Sequence, residues 1–146
     1  MAVTNETTNT LNSLLRGELS AVETYRQAEE KFQGGSEAVE LRQMRDDHQQ
    51  AVNHLRHHVH GKGGEAADSS GGWGTFAQIV EGGAKVFGRT AALKALKEGE
   101  EYGTNSYRSA LEDQALPSEC QALIRGTLLP RCRQHVQSLD RLMAQQ

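Results

Sequence analysis

Two stretches decide the fold, GELSAVETYRQA at residues 17–28 and GEEYGTNSYRSA at residues 99–110. Both read G-E-x6-Y-R-x-A, and they begin 82 residues apart, at Gly17 and Gly99. A spacing of seven is close to two turns of α-helix. Glu18 and Tyr25 therefore share one helix face, as do Glu100 and Tyr107.

Working outward, the apolar positions extend each stretch into a long amphipathic segment. The first runs from about residue 10 to 32, with Leu11, Leu14, Leu15, Val22, Tyr25 and Ala28 on one stripe. QGGS ends it, and Ser36 is the expected N-cap of a second helix. That helix carries Val39, Leu41, Met44, Ala51, Val52, Leu55 and Val59, and gives way to the Gly/Ser-rich loop at residues 60–72. A third segment spans Trp73 to Glu112 and is broken by Gly82, Gly83 and Gly88, which makes it two helices or one kinked helix. Ser118 with Gln121 has the form of a capping box opening the last helix, which carries Leu123, Ile124, Leu128, Leu139 and Leu142. Pro130 lies inside that helix and predicts a kink there, eased by Gly126 four residues earlier.

Connection lengths set the topology. The turns near residues 35 and 117 are short, which makes their flanking helices antiparallel neighbours. The link between the two pairs is long and contains its own amphipathic piece, WGTFAQIVEGGAKVF. The expected fold is all-α: a four-helix bundle of two antiparallel hairpins joined by a long crossover with a short extra helix. One domain is expected over residues 1–146, with a flexible N-terminus at residues 1–9.

Composition excludes several classes. A net charge of -3 offers no basic face for nucleic acid. No apolar run is long enough to span a bilayer, and MAVTNETTNT has no signal-peptide character, so the reading expects a cytoplasmic protein. Two cysteines, Cys120 and Cys132, do not make a disulfide framework. The expected partner is a second copy of the chain, a homo-oligomer with a dimer as the simplest form.

The helical stripes also carry chemistry. Glu18 falls on the stripe of the first helix, His48 on that of the second, Glu100 on the third, and Cys132 and His135 on the fourth. Counting from the turns, Glu18 and His48 differ in depth by about 6 Å, and Glu100 and His135 by about 1.5 Å. Four inward ionisable groups thus fall near one level. A buried carboxylate is costly without a compensating charge. Two carboxylates and two imidazoles form a donor set suited to zinc, iron or manganese. The second reading is metal-free: Glu and His pair with each other, with Arg45 and with the tyrosines. Asp47 and Glu101 adjoin the proposed ligands and replace them if the helices are rotated. Cys132 is a soft ligand, a redox thiol or a small buried residue. In the HLRHHVH run, with His54, His57, His58 and His60, His54 and His58 are one turn apart and able to catch a surface metal, but the favoured reading is solvated imidazoles suited to a helix C-terminus.

The stretches LNSLLRGELSAVETYRQA, DDHQQAVNHL, SSGGWGTFAQIVEGGAKVFGRTAALKALKEGEEYG and LIRGTLLPRCRQH cover most of the chain. Through them it resembles the ferritin-like bundles, and more closely a family of uncharacterised bacterial proteins, a domain of unknown function. The resemblance implies a ferritin-like fold and no established activity. Di-iron carboxylate bundles carry one Glu on each of two helices and E-x-x-H on each of the other two. Glu18, Glu100, His48 and His135 match four of those places, but Arg45 and Cys132 stand where the remaining glutamates would be. The expectation is therefore a single metal ion held by Glu18, His48, Glu100 and His135, in a protein of stress or storage type. The alternative is a metal-free helical interaction protein with a vestigial site.

Overall fold

The computed structural model describes residues 2–69 and 88–146. The described residues form helices and no strands: α1 (Ala2–Lys31), α2 (Ser36–Gly61), α3 (Arg89–Glu112), α4 (Ser118–Leu123), a π-helical turn (Ile124–Leu128) and α5 (Leu129–Ala144). The expected helix within Trp73 to Phe87 lies outside the described residues.

Helix α1 begins at Ala2, ahead of the apolar stripe, where a flexible terminus was expected. Tertiary contacts explain the extension. Thr7 is buried, and the Asn12 side chain clamps the chain that leaves α2: its Nδ2 donates to the Glu65 carbonyl at 2.9 Å and its Oδ1 accepts from Ala67 N–H at 2.8 Å. Gly64 fits against Thr8 there, and a Cβ on it would come within 2.5 Å of the threonine methyl.

Between α1 and α2 the chain turns through Gly34, whose φ of 84° is a left-handed conformation that favours glycine. Gly35, not Ser36, caps α2, and no side chain completes the cap. Ser118 likewise lies inside α4 rather than ahead of it. Gln121 Nε2 instead donates back to the Leu116 carbonyl at 2.8 Å. Gly88, with φ 88°, opens α3.

The last rod is helical throughout. Leu123, Ile124, Leu128 and Leu129 all have right-handed helical angles, so α4, the π turn and α5 run on without a break. Pro130 cannot supply the N–H that an α-helix would direct at Gly126. The widened turn absorbs that misfit, with Leu129 N–H bonded to the Ile124 carbonyl five residues back. It also keeps one face inward: Cys120, Ile124, Leu128, Cys132, His135, Leu139 and Leu142 are all buried.

Packing follows the stripes. Contacts between α1 and α2 link Glu29 to Arg45, Glu18 to His48 and Asn12 to the chain beyond α2, so they descend one helix while climbing the other. Lys97 pairs with Asp140 across α3 and α5. Two apolar clusters form. One contains Leu11, Leu15, Val52, Leu55, Ile124 and Leu128, and the other Phe32, Leu41, Leu93, Leu96, Leu139 and Leu142. Val39 departs from the expected stripe and is exposed. Both cysteines are buried free thiols. No described helix is long and apolar enough to cross a membrane.

Candidate metal centre

The four ionisable residues on the stripes, Glu18, His48, Glu100 and His135, are all buried, each at 6% exposure or less. They meet in direct contact despite the depth offset of about 6 Å counted from the first turn. His48 lies between the two glutamates: Nδ1 is 2.5 Å from Glu18 Oε2 and Nε2 is 2.5 Å from Glu100 Oε1. His135 places Nδ1 2.9 Å from the same Glu100 oxygen and Nε2 2.9 Å from Asp47 Oδ2. The two imidazole centroids are 5.0 Å apart.

The tyrosines of the repeated pattern cross over. Tyr25, on the helix of Glu18, donates to Glu100 Oε1 at 2.7 Å, and Tyr107, on the helix of Glu100, donates to Glu18 Oε1 at 2.5 Å. The sequence puts each tyrosine two turns from its own glutamate. The structure uses that spacing to reach the other one. The duplicated Glu-x6-Tyr pattern was the available signal, but sequence alone does not say which carboxylate each hydroxyl meets.

Glu100 is the hub. Its Oε1 has three partners, while its Oε2 is buried and has no hydrogen-bond partner among the described residues. The Cys132 thiol, a weak donor, is a further polar neighbour of this carboxylate. Burial works against ionisation of Glu100, but the charge of His48 and hydrogen bonds from His135 and His48 outweigh it and hold its pKa well below the usual carboxylate range. Burial likewise disfavours the His48 imidazolium. Glu100 and Glu18, through charge and hydrogen bonding, raise its pKa well above the ordinary value. Burial, then Glu100, pushes the Tyr25 hydroxyl up, and burial, then Glu18, does the same for Tyr107. Both tyrosines remain neutral donors. Cys132 is pushed far up by burial, then by Glu100 and Glu18, so its thiol stays protonated.

His48, Glu100 and His135 can each offer one ligand atom so that all three lie within 4.8 Å of one another. Tetrahedral ligands bound at about 2.1 Å are roughly 3.4 Å apart, so the trio is on the scale of such a site after small side-chain shifts. The unpartnered Glu100 oxygen and the oxygen and nitrogen donors fit a divalent transition-metal ion. Glu18 and Asp47 sit behind the trio, on the far ring nitrogens of His48 and His135. A carboxylate in that place fixes the tautomer and aim of a metal-binding imidazole.

The other sequence candidates lie further out. Glu101 is exposed and outside the cluster. Arg45 is bound to Glu29 at 3.0 Å and takes no part. A sequence profile of a domain of unknown function, DUF2383, matches residues 6–113. The chain belongs to the DUF2383 family. The DUF2383 match contains Glu18, Asp47, His48 and Glu100 but ends before His135. No curated protein matches the chain. No solved structure matches it.

Proposed function

We propose that this protein binds one divalent transition-metal ion, zinc, iron or manganese, in the core of a ferritin-like bundle built from two antiparallel hairpins and a crossover. Glu100, His48 and His135 are the ligands in this reading, and Glu18 and Asp47 orient the two imidazoles. The observation that carries it is the buried, unpartnered Glu100 Oε2 beside two converging imidazoles. A hydrogen-bonded core without a cation would leave that oxygen desolvated at a cost of about 1–3 kcal/mol or more. The relation of Glu18 to Glu100 and of His48 to His135 supports the two-hairpin arrangement. A bound divalent ion would supply Lewis acidity and a site for exchangeable water. The role suggested is metal handling of a stress or storage kind.

The test is metal content of purified protein after reconstitution with zinc, iron or manganese and removal of excess ion. One ion per chain is expected, and none in Glu100→Gln. Metal-free wild-type protein after all three treatments would refute the proposal.

A second reading has its own observation. Both ring nitrogens of His48 are already bonded to carboxylates at 2.5 Å. In that reading an imidazolium replaces the cation, and the polar layer fixes the register of the helices.

A further inference from the structure

Resting on the metal-binding reading, the structure also indicates how a cation reaches the site. A small cavity of about 50 Å³ lies between α1 and α3, bounded by Glu18, Glu100, His48, Tyr25 and Tyr107. Each water molecule needs roughly 10–15 Å³ of such space, so a few can be held there. Small residues on the facing helices, Gly17 and Ala21 on α1 and Gly99 and Gly103 on α3, are among those that line it. Toward the surface a wider groove of about 490 Å³ continues between the same helices. Cavity and groove share Ser13, Leu14 and Ser106, so a thin wall of two hydroxyl residues and one leucine separates them.

The charges that the described residues place along this line all have one sign. Asp113 borders the outer groove, Thr10, Ser109 and Asn105 line its sides, and Glu18 and Glu100 stand at the inner end. Among the described residues, no lysine or arginine lines either space. The opposite side of the site differs. The gap there is only about 10 Å³, and beside the carboxylates of Glu18 and Asp47 and the two imidazoles it is lined by the guanidinium of Arg131. The gap is too narrow for a hydrated cation and Arg131 offsets its carboxylates, whereas carboxylates at both ends of a wide, hydroxyl-lined groove attract one.

We propose that the groove between α1 and α3, entered past Asp113 and through the Ser13–Leu14–Ser106 wall, is the path by which a hydrated divalent cation reaches Glu100. The second observation behind it, beyond the small residues, is the buried and unpartnered Glu100 Oε2 of a carboxylate that lines the inner cavity.

Stopped-flow uptake of Co²⁺, followed by its visible absorption, and release into excess chelator test the path. Ser106→Phe fills the wall without touching the ligands. It is expected to slow uptake and release together by tenfold or more, with Kd changed less than threefold. Ser13→Phe, placed on the other helix, gives the same test if the first variant does not fold. Asp113→Asn is expected to lower the uptake rate about two- to threefold and to flatten its dependence on salt. Arg131→Ala leaves the rates of the native protein unchanged. Unchanged rates in the folded phenylalanine variant, or faster uptake in Arg131→Ala, overturn the path while leaving the metal site standing. Wild-type protein that takes up no Co²⁺ at equilibrium removes the metal site and the path together.

Discussion

Glu18 in the first half of the bundle and Glu100 in the second occupy matching places, seven residues before a tyrosine, yet their oxygens are used differently. Glu18 spends one oxygen on His48 and the other on Tyr107. Glu100 gathers Tyr25, His48 and His135 on a single oxygen and leaves the other without a hydrogen-bond partner among the described residues. The residue beside each histidine also differs. Asp47 precedes His48, and Gln134 precedes His135. Asp47 takes the Nε2 of His135, so that imidazole does not bridge the two glutamates as His48 does. A repeated sequence thus yields one carboxylate with both oxygens hydrogen-bonded and one with an oxygen that has no hydrogen-bond partner among the described residues.

The largest effect expected to break this comparison comes from Glu100→Gln. Removing the charge on which two imidazoles and a tyrosine converge should abolish metal binding and destabilise the fold by about 3–5 kcal/mol, the range for one member of a buried pair. Chemical denaturation and metal content measure both. Equal loss from Glu18→Gln would erase the distinction between the halves.

Next is the pH response of the metal-free protein. Glu100 has a lowered pKa in the fold, so its stabilisation is present above the ordinary carboxylate value and disappears as pH falls through the folded one. His48 has a raised pKa, so its stabilisation is full below about 6.5 and disappears as pH rises through the folded value. Denaturation midpoints should therefore be highest between about pH 4.5 and 6.5 as far as these two groups decide. A profile rising steadily to pH 9 would contradict the paired imidazolium.

Glu18→Gln and Asp47→Asn sharpen the comparison by affinity. Each removes a carboxylate behind a histidine of the proposed metal site, a change that typically weakens binding by about 10–100-fold. Glu18 is buried and Asp47 half-exposed, so the first should lie at the upper end and the second at or below the lower end. Isothermal titration with zinc measures the difference.

The tyrosines give the smallest contrast. Tyr107→Phe strips Glu18 Oε1 of its hydrogen bond and should cost about 2–3 kcal/mol, whereas Tyr25→Phe leaves Glu100 Oε1 with two imidazoles and should cost about 1 kcal/mol. Equal losses in urea would mean that the two carboxylates are equally well satisfied.

Much of this arrangement was legible from helical periodicity. The stripes place Glu18, His48, Glu100 and His135 inside, and all four are buried among the expected apolar neighbours. Periodicity gives the face of a helix but not the partner across the core, so the crossed tyrosines and the bond from Asp47 to His135 were not readable. Nor was the π turn, because Pro130 predicts a disturbance without saying how the backbone resolves it. The early start of α1 depends on Asn12 and Thr8 meeting a loop more than fifty residues away, which no local pattern reports.

X-ray absorption of zinc-loaded protein tests the central claim most directly. Coordination by Glu100, His48 and His135 predicts nitrogen and oxygen scatterers at about 2.0–2.2 Å with the multiple-scattering signature of two imidazoles. A sulfur shell at about 2.3 Å, which would bring Cys132 to the metal, or a spectrum without imidazole would contradict it.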